Sequence, residues 1–111
     1  MRKPKPPDDL RGSPEFAAFF QDLDNDCELY RRIRAALDAI KADMLVGDKI
    51  EKKKFPKIYV RKYDIRNLFR MDTGKGSRLI YTILSENKKK VVVVLEFFSS
   101  HKEYERRFGY S

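Results

Sequence analysis

The chain has 111 residues, 41% hydrophobic and 38% charged, with 25 Lys and Arg against 17 Asp and Glu and a formal charge of +8. That length suits one domain with one small core rather than a two-domain enzyme, and the apolar share is too high for a disordered chain. A single cysteine, Cys27, and a single histidine, His101, exclude a disulfide framework and an ordinary zinc site. No apolar run reaches membrane-span length and MRKPKPPDDL is no secretory signal, so a cytoplasmic protein without metal, cofactor or membrane partner is expected.

Residues 1–12 place Pro4, Pro6 and Pro7 among charges and read as a basic, flexible tail before a single domain over residues 13–111. Ser13-Pro14-Glu15 is a helix start, with a capping hydroxyl, a proline suited to the first turn and an acid on the dipole's positive end. Phe16, Phe19, Phe20 and Leu23 continue it over residues 14–23. A second helix is expected over residues 26–46, where Tyr30, Ile33, Leu37, Ile40 and Met44 form one apolar stripe and Gly47 offers a stop. Cys27 at its start reads as a structural thiol, although a pair with His101 is formally possible.

Residues 48–66 fit a short helix or an irregular strand, and Phe55 is pushed toward extended geometry by Pro56. From Asn67 the pattern turns to β. Residues 68–71 form a short strand, and D72-T-G-K-G-S77 reads as a hairpin turn rather than a phosphate loop, because no helix follows it. Residues 78–84 alternate, with Leu79, Tyr81 and Ile83 on one side and Arg78, Ile80 and Thr82 on the other. Residues 91–98, VVVVLEFF, are a β-branched run buried on most of both faces. HKEYERRFGY supports one or two helical turns before Gly109. The expected fold is α+β: two N-terminal helices on a small antiparallel sheet of three strands, a fourth left open at the N-terminus, and a short C-terminal helix. The helices cover one sheet face, and the other shows Arg78, Ile80 and Thr82.

The charge is concentrated. Residues 1–48 carry a net −2, residues 49–78 a net +8 and residues 79–111 a net +2. A basic stretch interleaved with aromatics is the footprint of a polyanion such as nucleic acid, set against the plainer reading of a solvated face. RNA can be cut without a metal when the 2′-OH attacks the neighbouring phosphorus, provided that groups take one proton, give another and balance the phosphorane charge. Arginine suits the last role, and His, Lys, Tyr or Glu the others. Arg78, Arg70, His101, Lys102 and Tyr104 are the candidates. Each has a plainer reading too: His101 as a capping residue, Tyr104 as a core aromatic, and Glu96, in its apolar run, as an edge group or an arginine partner.

The order of elements, the string R78-L-I-Y-T-I83 and VVVVLEFFSSHKEYERRFGY resemble the RelE/ParE superfamily of toxin–antitoxin toxins, in its RelE-like branch. The resemblance covers about residues 13–110 and includes the lysine-rich GDKIEKKKFPKIYVRKYDIRNLFRM. It implies two N-terminal helices on one face of a sheet. It also implies an mRNA endonuclease acting in the ribosomal A site, which inhibits translation and is restrained by a cognate antitoxin protein. Arg78 matches the phosphate-stabilising arginine and Arg70 a basic residue of the preceding strand. His101 or Lys102 falls at the position of an acid or base, and Tyr104 at that of a tyrosine that stacks on a base or moves a proton. Lys52, Lys53, Lys54, Lys57, Arg61, Lys62 and Arg66 would hold ribosomal or messenger RNA through phosphates. Relatives that poison DNA gyrase share the scaffold. A ParE-like gyrase inhibitor and a non-catalytic RNA-binding regulatory domain are therefore the alternatives.

Overall fold

Ser13 holds an extended backbone and its hydroxyl accepts the Phe16 amide at 3.0 Å, so the chain enters α1 (Pro14–Gln21) as the Ser-Pro-Glu pattern predicts. The same hydroxyl donates to the Leu95 carbonyl at 2.8 Å, which ties the helix start to the sheet. The computed structural model describes residues 2–109; Tyr110, the last residue of the family-like string, lies outside them. α2 (Glu28–Ala42) is shorter than expected. Cys27 caps it, with Sγ accepting the Tyr30 amide at 3.3 Å. Asp43 ends it before Gly47, because its carboxylate takes the Lys5 and Leu45 amides at 3.1 and 3.2 Å and so competes with the helical path. Gly47 serves another need: a Cβ there would lie 2.8 Å from the Tyr81 hydroxyl, to which the Gly47 amide donates at 3.0 Å.

Five strands form one mixed sheet in the order β1-β5-β4-β3-β2. They are β1 (Asp9–Gly12), β2 (Asp48–Lys49), β3 (Phe69–Gly74), β4 (Ser77–Glu86) and β5 (Lys89–Phe98). The expected meander is β3-β4-β5. The fourth strand left open at the N-terminus forms as β1, which runs parallel to β5 and pairs Asp9–Gly12 with Val91–Val94, and residues 48–66 open with the short strand β2. The N-terminal segment is therefore not the free tail expected of residues 1–12. Arg2 makes a bidentate pair with Asp43, 2.8 Å on each arm, and Met44 donates to the Lys5 carbonyl at 2.8 Å. A four-residue edge strand carrying Asp9 and Arg11 leaves little alternation to read, and it forms because β5 presents an unpaired edge. The β4–β5 hairpin closes through Asn87 and Lys88, both at positive φ (51° and 67°).

One face of the sheet meets α1 and α2. Phe16, Ile33, Ala36, Leu37, Ile40 and Met44 pack there against Phe69, Leu79, Tyr81, Val92 and Val94. The opposite face is also covered, contrary to the expectation of an open surface: Ile80 is 0% and Thr82 2% exposed. Residues 48–66 supply part of the cover: after the edge strand β2, a 3-10 turn at Lys52–Lys54 and α3 (Lys57–Tyr63) lie over this face. α4 (His101–Phe108) supplies the rest. Tyr59, Tyr104 and Phe108 join Ile50, Ile65, Leu68, Ile80, Leu95 and Phe98 in a second core. A bulge opposite Ile80 and Tyr81 makes Leu95 the extra residue, so Leu95 and Glu96 both serve this side. Glu96 accepts the Tyr59 hydroxyl at 2.5 Å and pairs with Arg107 at 3.0 Å, fastening α3 and α4 to β5. Burial and then Glu96 hold the Tyr59 hydroxyl far above the usual tyrosine range.

Glu15, at the start of α1, pairs with Lys62 of α3 and accepts the Tyr63 hydroxyl at 2.9 Å. The Lys62 partnership, a backbone amide and Tyr63 lower its pKa from 4.5 to about 2. A carboxyl lowered on folding contributes stability above its unfolded pKa and loses it as pH falls through the folded value. Glu15→Gln should therefore melt below the parent at pH 6, and the difference should vanish as melting curves are taken down to pH 2. Lys88→Gly should raise stability by about 0.5 kcal/mol in urea denaturation, since glycine takes the positive φ without a Cβ penalty.

Candidate active site

Arg70, Asp72 and Arg78 share a sheet face because β3 and β4 are antiparallel, with Asp72 opposite Arg78 and Arg70 opposite Ile80. It is the face under α4. That helix starts with a reciprocal cap: the Ser100 hydroxyl accepts the Glu103 amide at 3.2 Å, and Glu103 accepts the Ser99 amide at 2.9 Å. The cap places His101 at the first helical residue, directly over the β3–β4 turn. Gly76 has φ +80°, and a Cβ there would be 3.5 Å from the His101 nitrogen and 3.7 Å from its Cβ. Turn and helix start thus meet with no side chain between them.

Two guanidinium groups converge on one ring. The Arg70 and Arg78 carbons each lie 5.8 Å from the centroid of Tyr104, within cation–π range. Asp72 sits between them, with Oδ1 3.1 Å from Arg78 Nε and 3.7 Å from Arg70 Nε, and Asp48 lies 3.6 Å from Arg70. Burial works against the Arg70 charge, but the Tyr104 hydroxyl, Asp72 and Asp48 offset it and hold the pKa above the ordinary arginine value. The Nε of both arginines is buried, and among the described residues each meets Asp72 as an ion pair without a well-aligned hydrogen bond. One terminal nitrogen of Arg78 stands 3.5 Å from His101 Nδ1, and His101 Nε2 is 2.6 Å from Glu105. The side chain of Arg78 is 16% exposed and that of His101 57%, so the imidazole and the guanidinium tip form the accessible part.

The structure thus brings together Arg70, Arg78, His101 and Tyr104. Tyr104 is only 1% exposed, its ring packed on Phe98 and Phe108, so it presents no free face for a base. The base-stacking role expected of it is corrected to that of a platform for the two arginines. Lys102 is exposed on α4, and no ion pair or hydrogen bond joins its side chain to these groups among the described residues. Lys57 and Arg61 are exposed on α3, Arg66 follows it, and Lys52, Lys53 and Lys54 form the exposed 3-10 turn. Lys62 is committed to Glu15 and Lys53 pairs with Glu51 at 3.3 Å, which sets both apart from the free basic residues expected.

Three contributors were not anticipated. Asp72 was read only as turn chemistry, although the strand alternation that placed Arg78 also places its neighbour. Glu105 lies four residues after His101, a spacing that pairs side chains on a helix. Arg32 reaches from α2 to the far side of the turn, where it donates to the Gly74 carbonyl at 3.0 Å and to the buried Ser77 hydroxyl at 3.4 Å; no local pattern announces that contact.

Compared with protein-family models, with curated proteins and with solved structures, the chain matches none. No group of three or more His, Cys, Asp or Glu suited to a metal ion occurs among the described residues, and none of their helices is long and apolar enough to cross a membrane.

The ring and the hydroxyl of Tyr104 have separable effects. Tyr104→Phe keeps the platform and loses the bond to Arg70, for an expected cost of about 1 kcal/mol. Tyr104→Leu also opens the second core and should cost about 3 kcal/mol. Urea denaturation of the two variants measures both; equal costs would show that the ring does not matter.

Proposed function

We propose that this chain is a RelE-like toxin of a type II toxin–antitoxin system, a metal-independent endoribonuclease that cuts mRNA on the ribosome. The contact between Arg78 and His101 carries the reading. It sets a guanidinium beside the only imidazole of the chain, the side chain most often used to hand a proton to or from a reacting oxygen. The order of elements, with a strand, two helices and a three-stranded meander, supports the family resemblance, as do RLIY and HKEYERRFGY.

In the reaction the 2′-OH attacks the adjacent phosphorus and the 5′ oxygen leaves. The Arg78 guanidinium tip faces the phosphorane oxygens and takes up their added charge. His101 moves a proton at the ribose or at the leaving oxygen, while Glu105 on its other nitrogen fixes the ring. Arg70, held on the far side of Tyr104, adds positive potential without needing contact. Lys102 is a second proton carrier on the solvent side of α4. The free cations of residues 49–66 hold RNA phosphates in a salt-dependent way. A small acidic antitoxin encoded beside the gene is the expected protein partner, and the ribosome and mRNA the targets.

In a purified translation system with mapped mRNA ends, the protein should produce cuts that chelator does not change. Arg78→Ala should slow them by about 10²- to 10³-fold. His101→Ala should lower the single-turnover rate far more than ribosome binding. Equal cutting by the Arg78 variant would reject the site. Intact mRNA with inhibited DNA supercoiling would favour a gyrase-directed toxin, and salt-sensitive RNA binding without either activity a regulatory domain.

A further inference from the structure

We propose that the cleft flanked by Lys49, Lys52 and Arg66, with Phe55 in its wall, binds a nucleobase of single-stranded RNA a few nucleotides away from the phosphate held at Arg78. The proposal deepens the reading above, since it names the ligand of a second part of the same RNA-binding face. Ile50, Glu51 and Asn67 complete the lining, and the cleft has a volume of about 290 Å³. A second cleft shares three of its lining residues, Lys52, Phe55 and Arg66. Phe55 therefore lines both openings, with the same two cations beside it.

The ring is held in place before any ligand arrives. Pro56 forces Phe55 to stay extended (φ −65°, ψ 126°), its amide donates to the Lys52 carbonyl at 3.1 Å, and its side chain is half buried against the second core. A fixed aromatic surface loses little entropy on binding a flat ligand. The charges around it are uncommitted. The side chains of Lys49, Lys52 and Arg66 make no ion pair or hydrogen bond among the described residues, and the one carboxylate of the lining, Glu51, pairs outward with Lys53. An aromatic face set among free cations suits a ligand that joins a flat ring to a phosphodiester.

Register places the cleft on the path of the chain that would cross the site. Asn67 is bonded to Thr82 and Ile83 of β4 at 2.7 to 2.9 Å, whereas Asp72 opposes Arg78. At the usual strand rise, the distance from Arg78 to that point is roughly 15 Å, which a few nucleotides span. Arg70, one-third exposed, lies between the two. Asn67 spends its Oδ1 and one Nδ2 hydrogen on β4, so the cleft supplies chiefly a stacking face and charge. Weak sequence preference at that nucleotide follows.

The test uses the full chain and a labelled heptauridylate, 2′-O-methylated so that it cannot be cut, with binding read by fluorescence anisotropy. Phe55→Leu should weaken binding by roughly tenfold and Phe55→Tyr should restore it. A single abasic nucleotide, walked along the heptamer, should cost the parent about tenfold at one position and cost Phe55→Leu nothing there. If Phe55→Leu folds poorly, the exposed pair Lys52→Ala and Arg66→Ala should still lower the slope of log affinity against log salt by about 1.4. Parent-like binding by folded Phe55→Leu, an abasic penalty equal in both proteins, or an unchanged salt slope would each overturn the cleft. Failure of mRNA cutting with this binding pattern intact would remove only the nuclease reading. Cutting without Phe55-dependent binding would remove only the cleft.

Discussion

The Tyr104 ring is what allows two arginines to occupy one corner of the sheet. Antiparallel pairing of β3 and β4 brings Arg70 and Arg78 to the same face whatever else happens, with Asp72 between them and Asp48 beside Arg70. The ring answers with its electron-rich face at 5.8 Å from each guanidinium carbon, and its hydroxyl engages Arg70. Because the ring is itself buried by Phe98 and Phe108, it cannot swing away. The two guanidinium groups are therefore held by packing, and a donor fixed in advance is the kind that stabilises a developing charge at least cost.

That arrangement requires a sheet covered on both sides. β5 is apolar toward both faces, so a single layer of helices would leave one row of its side chains in water. The bulge at Leu95 adapts the strand to this double burial. It turns Leu95 into the second core and lets Glu96 reach Tyr59 and Arg107. The carbonyl of the same bulged residue accepts the Ser13 hydroxyl that caps α1. One irregular position thus fastens three helices: α1 through Ser13, α3 through Tyr59 and α4 through Arg107. The corner of Arg70 and Arg78 depends on it indirectly, since α4 carries both His101 and Tyr104.

The parts legible in the sequence were those with local, repeated signals. The stripe from Tyr30 to Met44, the Ser-Pro-Glu start, the alternation from Arg78 onward and the valine run each specify an element through one rule, and each element formed. Alternation also put Arg78 opposite the α2 face, where it lies. The misses share a physical cause: their structure is decided by contacts far apart in the chain. β1 has four residues, two of them charged, and exists because β5 offers an edge. The end of α2 is set by Asp43 receiving Arg2 and Lys5 from across the chain rather than by Gly47. The layer over Ile80 and Thr82 is built from Tyr59, Ile65, Tyr104 and Phe108, which are spread over two segments. None of those segments is apolar enough to announce a second core.

The cations of this protein divide by what they meet. Arg2, Arg11, Lys62 and Arg107 each face a carboxylate from a distant part of the chain and so hold elements together. Arg70 and Arg78 have carboxylates too, Asp72 between them and Asp48 beside Arg70, and both also lie against the Tyr104 ring. Lys49, Lys52 and Arg66 have none among the described residues, although carboxylates are plentiful elsewhere. Solvent-exposed charges kept at net +8 over residues 49–78 repel one another and weaken the folded state slightly. Solubility alone would be served by charges of both signs intermixed, as they are along α2. On the proposed function, a polyanion lying across the stretch of residues 49–78 would release counterions as it binds and relieve the repulsion that the free protein tolerates.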